Sequence, residues 1–323
     1  MGEHSLITAT AQACAKAILV GEHFVVWGGT AVAFPVHSAR MSVTVSATPQ
    51  TRNTVLEAPE GEDFLKATRK AARALLRDAR YGLRVDMEHN FPLASGLGGS
   101  ASYSVALSRA LMQLGQGEID EDLVAQTALD LEKVFHGSPS GIDSTTIAFE
   151  SPCFIKTGNV FYVAGDSGKR PKGPVAGFVD MPAGGTFLLA DSGERSTTRG
   201  ALTTVNEIVE RPGGEKVIER LTAVSETISL QAASAMRKGD YEYVGLMMVE
   251  NQYLLRGIGV STQRTEELCS VAQDAGALGA KLTGSGMGGF VLALTHPDLA
   301  DRVSDALRRH GAKTIFRQET KDL

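Results

Sequence analysis

Two glycine-rich stretches and a few ionisable residues in apolar company carry the chemistry legible in this 323-residue chain. The first stretch, Pro92-Leu-Ala-Ser95-Gly96-Leu97-Gly98-Gly99-Ser100-Ala101-Ser102, lies where a strand pattern gives way to a helix pattern. Glycines there let the backbone turn tightly and approach a ligand without a Cβ, and a helix starting near Ser100 points free N–H groups into the loop. That geometry suits a polyphosphate; a plain connector with Ser100 as helix cap is the alternative. The second stretch is Gly284-Ser285-Gly286-Met-Gly-Gly289. Asp143 ends the turn-rich run His136-Gly-Ser-Pro-Ser-Gly-Ile-Asp143, where glycine and proline would project one acid from a rigid loop, unless it is an ordinary turn aspartate. Glu132 has Ala128, Leu129 and Phe135 as helical neighbours, so it lies at the edge of a buried face or pairs with a cation, unless it is an ordinary, partly exposed helix glutamate. Lys16 interrupts the apolar run Ala15 to Leu19, and a lysine is rarely fully buried unless paired. Glu22 and His23 follow in a turn between Val20 and Phe24.

Familiar nucleotide patterns fit poorly. Both glycine stretches satisfy GxGxxG/A, but a dinucleotide fold needs a second strand after the helix with an acid at its end, and here another helix pattern follows. Neither stretch ends in Gly-Lys-Ser/Thr, and the HRD and DFG signatures of protein kinases are missing from the chain.

The elements that must position these groups read as two α/β or α+β units. Strand patterns at Ala13 to Val26 (broken by Gly21 to His23), Thr30 to Val36, Met41 to Ala47 and Leu83 to His89 alternate with a helix pattern over 62–80. Helices follow at 100–114 and 120–135, then a β-like stretch from Thr145 to Ile155. A Gly-, Pro- and Lys-rich segment, 156–185, is the candidate junction, giving units 1–183 and 184–323. The second unit reads as a strand at 186–190, helices near 201–210, 216–237, 240–256 and 262–275, strands at 278–282 and 290–294, a helix at 299–309 and a strand at 313–317.

Composition narrows the partners. Lys and Arg number 32 against 37 Asp and Glu, a net charge of −5, so no basic excess exists to hold nucleic acid or an anionic membrane, and any phosphate must be bound locally. Glycine, at 35 residues, is in excess, while 43% hydrophobic and 21% charged residues describe an ordinary globular chain. No apolar run approaches the ~20 residues that span a bilayer, and the first residues lack a charged region followed by an apolar core, so a cytoplasmic protein is expected. Cys14, Cys153 and Cys269 have no metal-ligand spacing and read as buried small residues.

Taken in order, Lys16-Ala-Ile-Leu-Val-Gly-Glu-His-Phe-Val-Val-Trp-Gly28, Pro92 to Ser102, His136 to Asp143 and Lys281-Leu-Thr-Gly-Ser-Gly-Met-Gly-Gly289 resemble the four motifs of the GHMP kinases, most closely those acting on mevalonate. The resemblance covers most of the chain, and the HGxPSGxD run is its most specific part. It implies an α+β fold of two domains, an N-terminal one like domain 2 of ribosomal protein S5 and a ferredoxin-like C-terminal one, with ATP and acceptor between them. It implies Mg2+-dependent transfer of the ATP γ-phosphoryl to the 5-hydroxyl of mevalonate. Asp143 would accept the hydroxyl proton and Lys16 would set its charge beside Asp143 and the alcohol. Ser100 and Glu132 would hold Mg2+, and Ser95 to Ser102 would cradle the phosphates. Glu22, His23 and Thr197 match acceptor-contacting positions, and Gly284, Ser285 and Gly286 would line the far side. Asn53 and Tyr103 are candidates for the adenine pocket. Ser144 and Gly99 depart from the pattern, standing where Asn and Ser are common. Phosphomevalonate or homoserine kinase activity, or a non-catalytic nucleotide-binding relative, are the alternatives. Members are often homodimers, though no interface is legible here.

Overall fold

Alternation of Val and Ala with hydroxyl residues makes residues 7–20 and 30–49 sheet formers, whereas Phe24–Trp27, expected as strand to Val26, is a short 3-10 helix. The computed structural model describes residues 6–50, 54–76, 81–115, 117–136, 139–156, 175–195 and 198–323. β1 (Ile7–Val20) pairs antiparallel with β2 (Thr30–Pro49), the long central strand of a six-stranded sheet. With β3 (Thr54–Glu57), β4 (Tyr81–His89), β5 (Cys153–Lys156) and β6 (Val175–Phe178), the order is β3-β4-β2-β5-β6, β1 also pairing with β2. The β1–β2 register shifts between Cys14 and Ala15 and again between Ile18 and Val20. These irregularities flank Lys16, and bulges of this kind re-aim side chains.

Helices α1 (Glu62–Leu75), α2 (Gly99–Gly115) and α4 (Ile142–Phe149) pack with this sheet, α2 lying on β1 and β2, and α3 (Glu121–His136) packs on these three helices. Every residue of α2 from Ala101 to Met112 is buried, as expected of a helix enclosed on all sides. The second sheet contains β7 (Thr186–Asp191), β8 (Gly279–Thr283), β9 (Phe290–Thr295) and β10 (Ile315–Glu319). Its order β10-β7-β9-β8, all antiparallel, is 4-1-3-2 in chain order, the ferredoxin-like arrangement. Between β7 and β8 run α5 (Thr198–Val209), α6 (Gly214–Lys238), α7 (Tyr241–Gly257) and α8 (Gln263–Asp274), and α9 (Ala300–Arg309) joins β9 to β10. Side chains from both sheets share one apolar cluster, in which Phe34 of β2 stacks on Phe187 of β7 at 4.4 Å.

Three further element expectations are corrected. The stretch from Thr145 is helical to Phe149, and strand begins only at Cys153. β-branched residues weaken helix propensity, but Thr146 bonds back to the Ile142 carbonyl at 2.7 Å and Thr145 to Ala148 are buried, so packing overrides propensity. The two strands expected at 30–36 and 41–47 are one. Its polar centre is satisfied: the His37 N–H donates to Gln318 Oε1, Ser38 Oγ–H to the Arg317 carbonyl and the Arg40 N–H to Asn90 Oδ1. β1 begins at Ile7, six residues before the expected start.

The three cysteines are buried, and burial pushes the thiols of Cys14 and Cys153 up to about 12. Among the described residues no helix is long and apolar enough to cross a membrane.

Candidate active site

The two glycine stretches meet backbone to backbone. A Cβ on Gly96 would lie 2.5 Å from the Thr283 carbonyl, and one on Gly284 would lie 2.5 Å from Gly96 Cα. β1 runs between them and fixes both. Lys16 N–H donates to the Leu97 carbonyl at 3.1 Å, and Ser102 Oγ–H to the Cys14 carbonyl at 2.9 Å. On the other side the Ile18 N–H donates to Thr283 Oγ1, whose hydroxyl donates back to the Ile18 carbonyl. The loops line a cavity of about 650 Å³ together with Lys16, Glu22, His23, Glu132 and Asp143. Lys16, 2% exposed, donates to the Gly96 carbonyl at 3.2 Å and pairs with Asp143 Oδ1 at 3.1 Å. The Asp143 side chain, in the first turn of α4, keeps 25% of its surface open. A carboxylate thus faces the cavity with a cation at its side, beside a glycine loop that opens α2. Such helix starts attract phosphate.

Glu132 projects from α3 into the same cavity and is almost wholly buried. Burial, with the Asp143 charge nearby, pushes its carboxyl up to about 8, although Lys16 and hydrogen bonds from Ser144 oppose the rise. A carboxylate left this costly to ionise is one that a divalent cation would compensate. Ser100, at the start of α2, also lines the cavity and shares a 2.8 Å hydrogen bond with His136 Nε2. Hydroxyl and carboxylate oxygens beside the glycine loop that opens α2 are the hard donors Mg2+ prefers, so the residues fit that ion.

On the opposite wall His23 holds φ 65°, an unusual conformation for a non-glycine residue. Its Nε2–H donates to the Ser285 carbonyl at 2.8 Å, which fixes the tautomer, and burial lowers its pKa below the ordinary imidazole value. Ala94 (φ 53°) and Met287 (φ 59°) are similarly left-handed, so three of the four such non-glycine residues among those described sit in the site's loops. Backbone strain collects at functional sites.

Of the residues expected from sequence, Ser95, Gly96, Gly98, Gly99, Ser100, Glu22, His23, Gly284 and Ser285 line the cavity with Lys16, Glu132 and Asp143. Leu97, Ala101 and Ser102 do not; their side chains are fully buried and seat the loop on the core. Gly286 faces Val260, whose carbonyl would be 2.4 Å from a Cβ there. Tyr103 is fully buried, its hydroxyl 2.6 Å from Thr68 Oγ1, which removes it from any base pocket. Thr197 and Asn53 lie outside the described residues. Glu22 has both oxygens occupied, by Lys281 Nζ and by Asn251 Nδ2 at 2.9 Å. Sequence reading missed both partners, although Lys281 carries the signal that flagged Lys16, a lysine inside an apolar strand.

Family models match in two places: the GHMP kinases N terminal domain over residues 65–151 and GHMP kinases C terminal over 232–313. Mevalonate kinase of Aeropyrum pernix is 30% identical over 306 residues, covering 88% of this chain and 88% of the relative. That of Methanothermobacter thermautotrophicus is 31% identical over 313 residues, covering 94% and 95%. Among solved structures, L. major mevalonate kinase in complex with R-mevalonate aligns with a TM-score of 0.75 at 26% identity, over 98% of this chain and 97% of that one. S. pneumoniae phosphomevalonate kinase in complex with phosphomevalonate and AMPPNP aligns with a TM-score of 0.75 over 96% and 99%, but at 15% identity this likeness concerns the fold alone.

Proposed function

Because the chain belongs to the GHMP kinases, and so to the ATP-using small-molecule kinases, we propose that it phosphorylates the 5-hydroxyl of (R)-mevalonate, giving 5-phosphomevalonate and ADP. The observation that carries the reading is the Lys16–Asp143 pair at 3.1 Å, in a cavity floored by two interlocked glycine loops. The mevalonate kinases at 30 and 31% identity support the choice of acceptor.

In this reading the loop from Ser95 to Ser100 and the start of α2 hold the ATP phosphates, Leu97, Ala101 and Ser102 serving from behind. Phosphoryl transfer needs little covalent help; it needs alignment and neutralisation of charge on the γ-phosphoryl oxygens. Lys16 supplies one positive charge beside the reacting oxygens. Ser100 and Glu132 would hold Mg2+, which would supply positive charge against the phosphate oxygens. Asp143 orients the alcohol and takes its proton late, as the oxygen–phosphorus bond forms and the bond to the ADP oxygen breaks; a carboxylate is too weak a base to remove it beforehand. His23, Ser285 and the Thr197 segment hold the acceptor. We assign the nucleotide loop to a unit of residues 1–183 and the wall behind Ser285 to a unit of 184–323.

The test is ADP release by one enzyme preparation offered mevalonate, phosphomevalonate, homoserine and galactose in turn. Mevalonate is expected to give the highest kcat/KM by more than about tenfold, the scale of one lost substrate contact. Good turnover of another alcohol with none of mevalonate defeats the acceptor assignment, and ATP hydrolysis with no acceptor dependence defeats the kinase reading.

A further inference from the structure

Behind the acceptor wall lies a buried ion pair that the reaction itself does not use. Lys281 on β8 is fully buried, and its ammonium is paired with Glu22 Oε1 and with the Leu282 carbonyl. Glu22 Oε2 accepts from Asn251 Nδ2 of α7, and Asn251 Oδ1 accepts the Gly21 N–H at 3.1 Å. Next to it Gln252 Oε1 accepts the Leu282 N–H at 2.9 Å, while its amide donates to Ser261 Oγ and Glu266 Oε1. The turn Gly21-Glu22-His23 is therefore pinned on both sides by residues of the second sheet and α7. This matters for His23, which holds a left-handed conformation and meets Ser285 only while that turn and the 284–289 loop keep their relative position. Burial lowers the Lys281 pKa and the Glu22 charge opposes that, the behaviour of a pair whose members depend on each other.

We infer that Lys281 is a positioning residue for acceptor binding: through Glu22 and Asn251 it locks the His23 turn to the Ser285 loop. The inference rests on the proposed kinase reading for what the wall binds, but the lock itself does not. Single substitutions must frustrate it. Glu22→Gln offers one acceptor oxygen where the lysine and the asparagine each need one, because Asn251 Oδ1 is already engaged by Gly21. Lys281→Met leaves a buried carboxylate without its cation, a change more damaging than loss of the whole pair.

The experiment measures steady-state kinetics, thermal unfolding and amide deuterium uptake for wild type, Lys281→Met, Glu22→Gln and the double variant. Each single variant is expected to raise the acceptor KM by about tenfold or more while the ATP KM moves by less than about threefold, the signature of lost acceptor binding. Deuterium uptake should rise in peptides covering 17–29 and 281–289 and stay unchanged over 120–136. The double variant should be less destabilised than the sum of the singles. Loss of thermal stability with an unchanged acceptor KM, or uptake raised uniformly along the chain, overturns the inference. Should Lys281→Met fail to fold, Glu22→Gln, which keeps the side-chain volume, decides by its deuterium-uptake pattern. KM is read on whichever alcohol the wild type phosphorylates. If it phosphorylates none, the functional reading falls, and the uptake pattern alone upholds or overturns the lock.

Discussion

With Lys16 Nζ at one oxygen and a quarter of its side chain open to the cavity, Asp143 is the acid best placed to meet an incoming hydroxyl. Asp143→Asn keeps its shape and removes its charge; kcat is expected to fall by roughly 10²- to 10⁴-fold, the usual worth of general-base assistance, with the ATP dissociation constant within about threefold. Substantial residual turnover would take Asp143 out of the mechanism. Glu132→Ala and Ser100→Ala are each expected to shift the Mg2+ titration of activity upward by about tenfold, as loss of one ligand would; an unmoved titration refutes the metal assignment. His23 gives a pH prediction of fixed sign. Its folded pKa lies below the unfolded value of 6.5, so as pH falls through 6.5 the unfolded chain takes up a proton that the folded chain refuses. Stability is lost on the acid side, by up to about 1.4 kcal/mol per pH unit for one proton. His23→Asn should flatten part of the fall in melting temperature between pH 7 and 5.5. His37 and His136, also lowered by burial, add slopes of the same sign, and a slope unchanged by the substitution discards the argument for His23. At this scale the sequence was most legible where a residue broke its local pattern. Lys16 stood out in an apolar strand, and the structure buries it with a partner. Glu22 gave no sign that its oxygens were spoken for, because Asn251 and Lys281 are more than 200 positions away in the chain and only the fold brings them together.

Elements position these groups through contacts too close for side chains. Gly96 and Gly284 touch through their backbones, and Gly289 sits where a Cβ would lie 2.5 Å from the Ser95 carbonyl. The two loops are one structure, although the sequence displayed them as two separate glycine runs. Gly284→Ala must push the loops apart and also strain a backbone at φ 87°. We expect it to cost on the order of 2–4 kcal/mol, combining overpacking with left-handed strain, and to weaken ATP binding. Gly117→Ala is the control, since its φ is 76° but nothing lies within 4 Å of a Cβ there. It should cost about 1 kcal/mol, the strain alone, and leave ATP binding untouched. Urea unfolding and nucleotide titration of the two variants check this; equal costs would mean that the loop contact is slack. Periodicity located most helices and strands to within a few residues, since the burial pattern that writes the periodicity is local. It failed at α4, where Thr145, Thr146 and Ile147 look like strand and are held helical by burial, and at β2, where polar residues from 37 to 40 suggested a break that contacts from β10 and Asn90 make unnecessary.

The whole molecule places the site where two sheets face a common interior. Two α+β units were legible from the order of the elements, but the 4-1-3-2 strand order of the second sheet was not, because strand order is a property of long-range pairing. Nor was it visible that the units share a core. Phe34 of the first sheet stacks on Phe187 of the second, and Phe187, Phe290 and Phe316 belong to the same apolar cluster as Met41 and Leu107. The proposed boundary at 183/184 falls between two sheets whose side chains share one apolar cluster. The chain is expected to unfold in one transition: a segment 1–183 made alone would expose the Phe34 face that β7 covers, and should lack a cooperative melt. Phe187→Ala, which empties a fully buried ring site at this junction, should destabilise the protein by about 3–5 kcal/mol, as large-to-small core changes do. It should lower the single transition as a whole. Calorimetry that resolved two transitions, with Phe187→Ala moving only one, would show two cores in contact instead of one shared core. The consequence for the site is direct. Ile18 and Thr283 exchange hydrogen bonds across that junction, so the distance between the 95–100 loop and the 284–289 loop is set by the same packing that sets global stability.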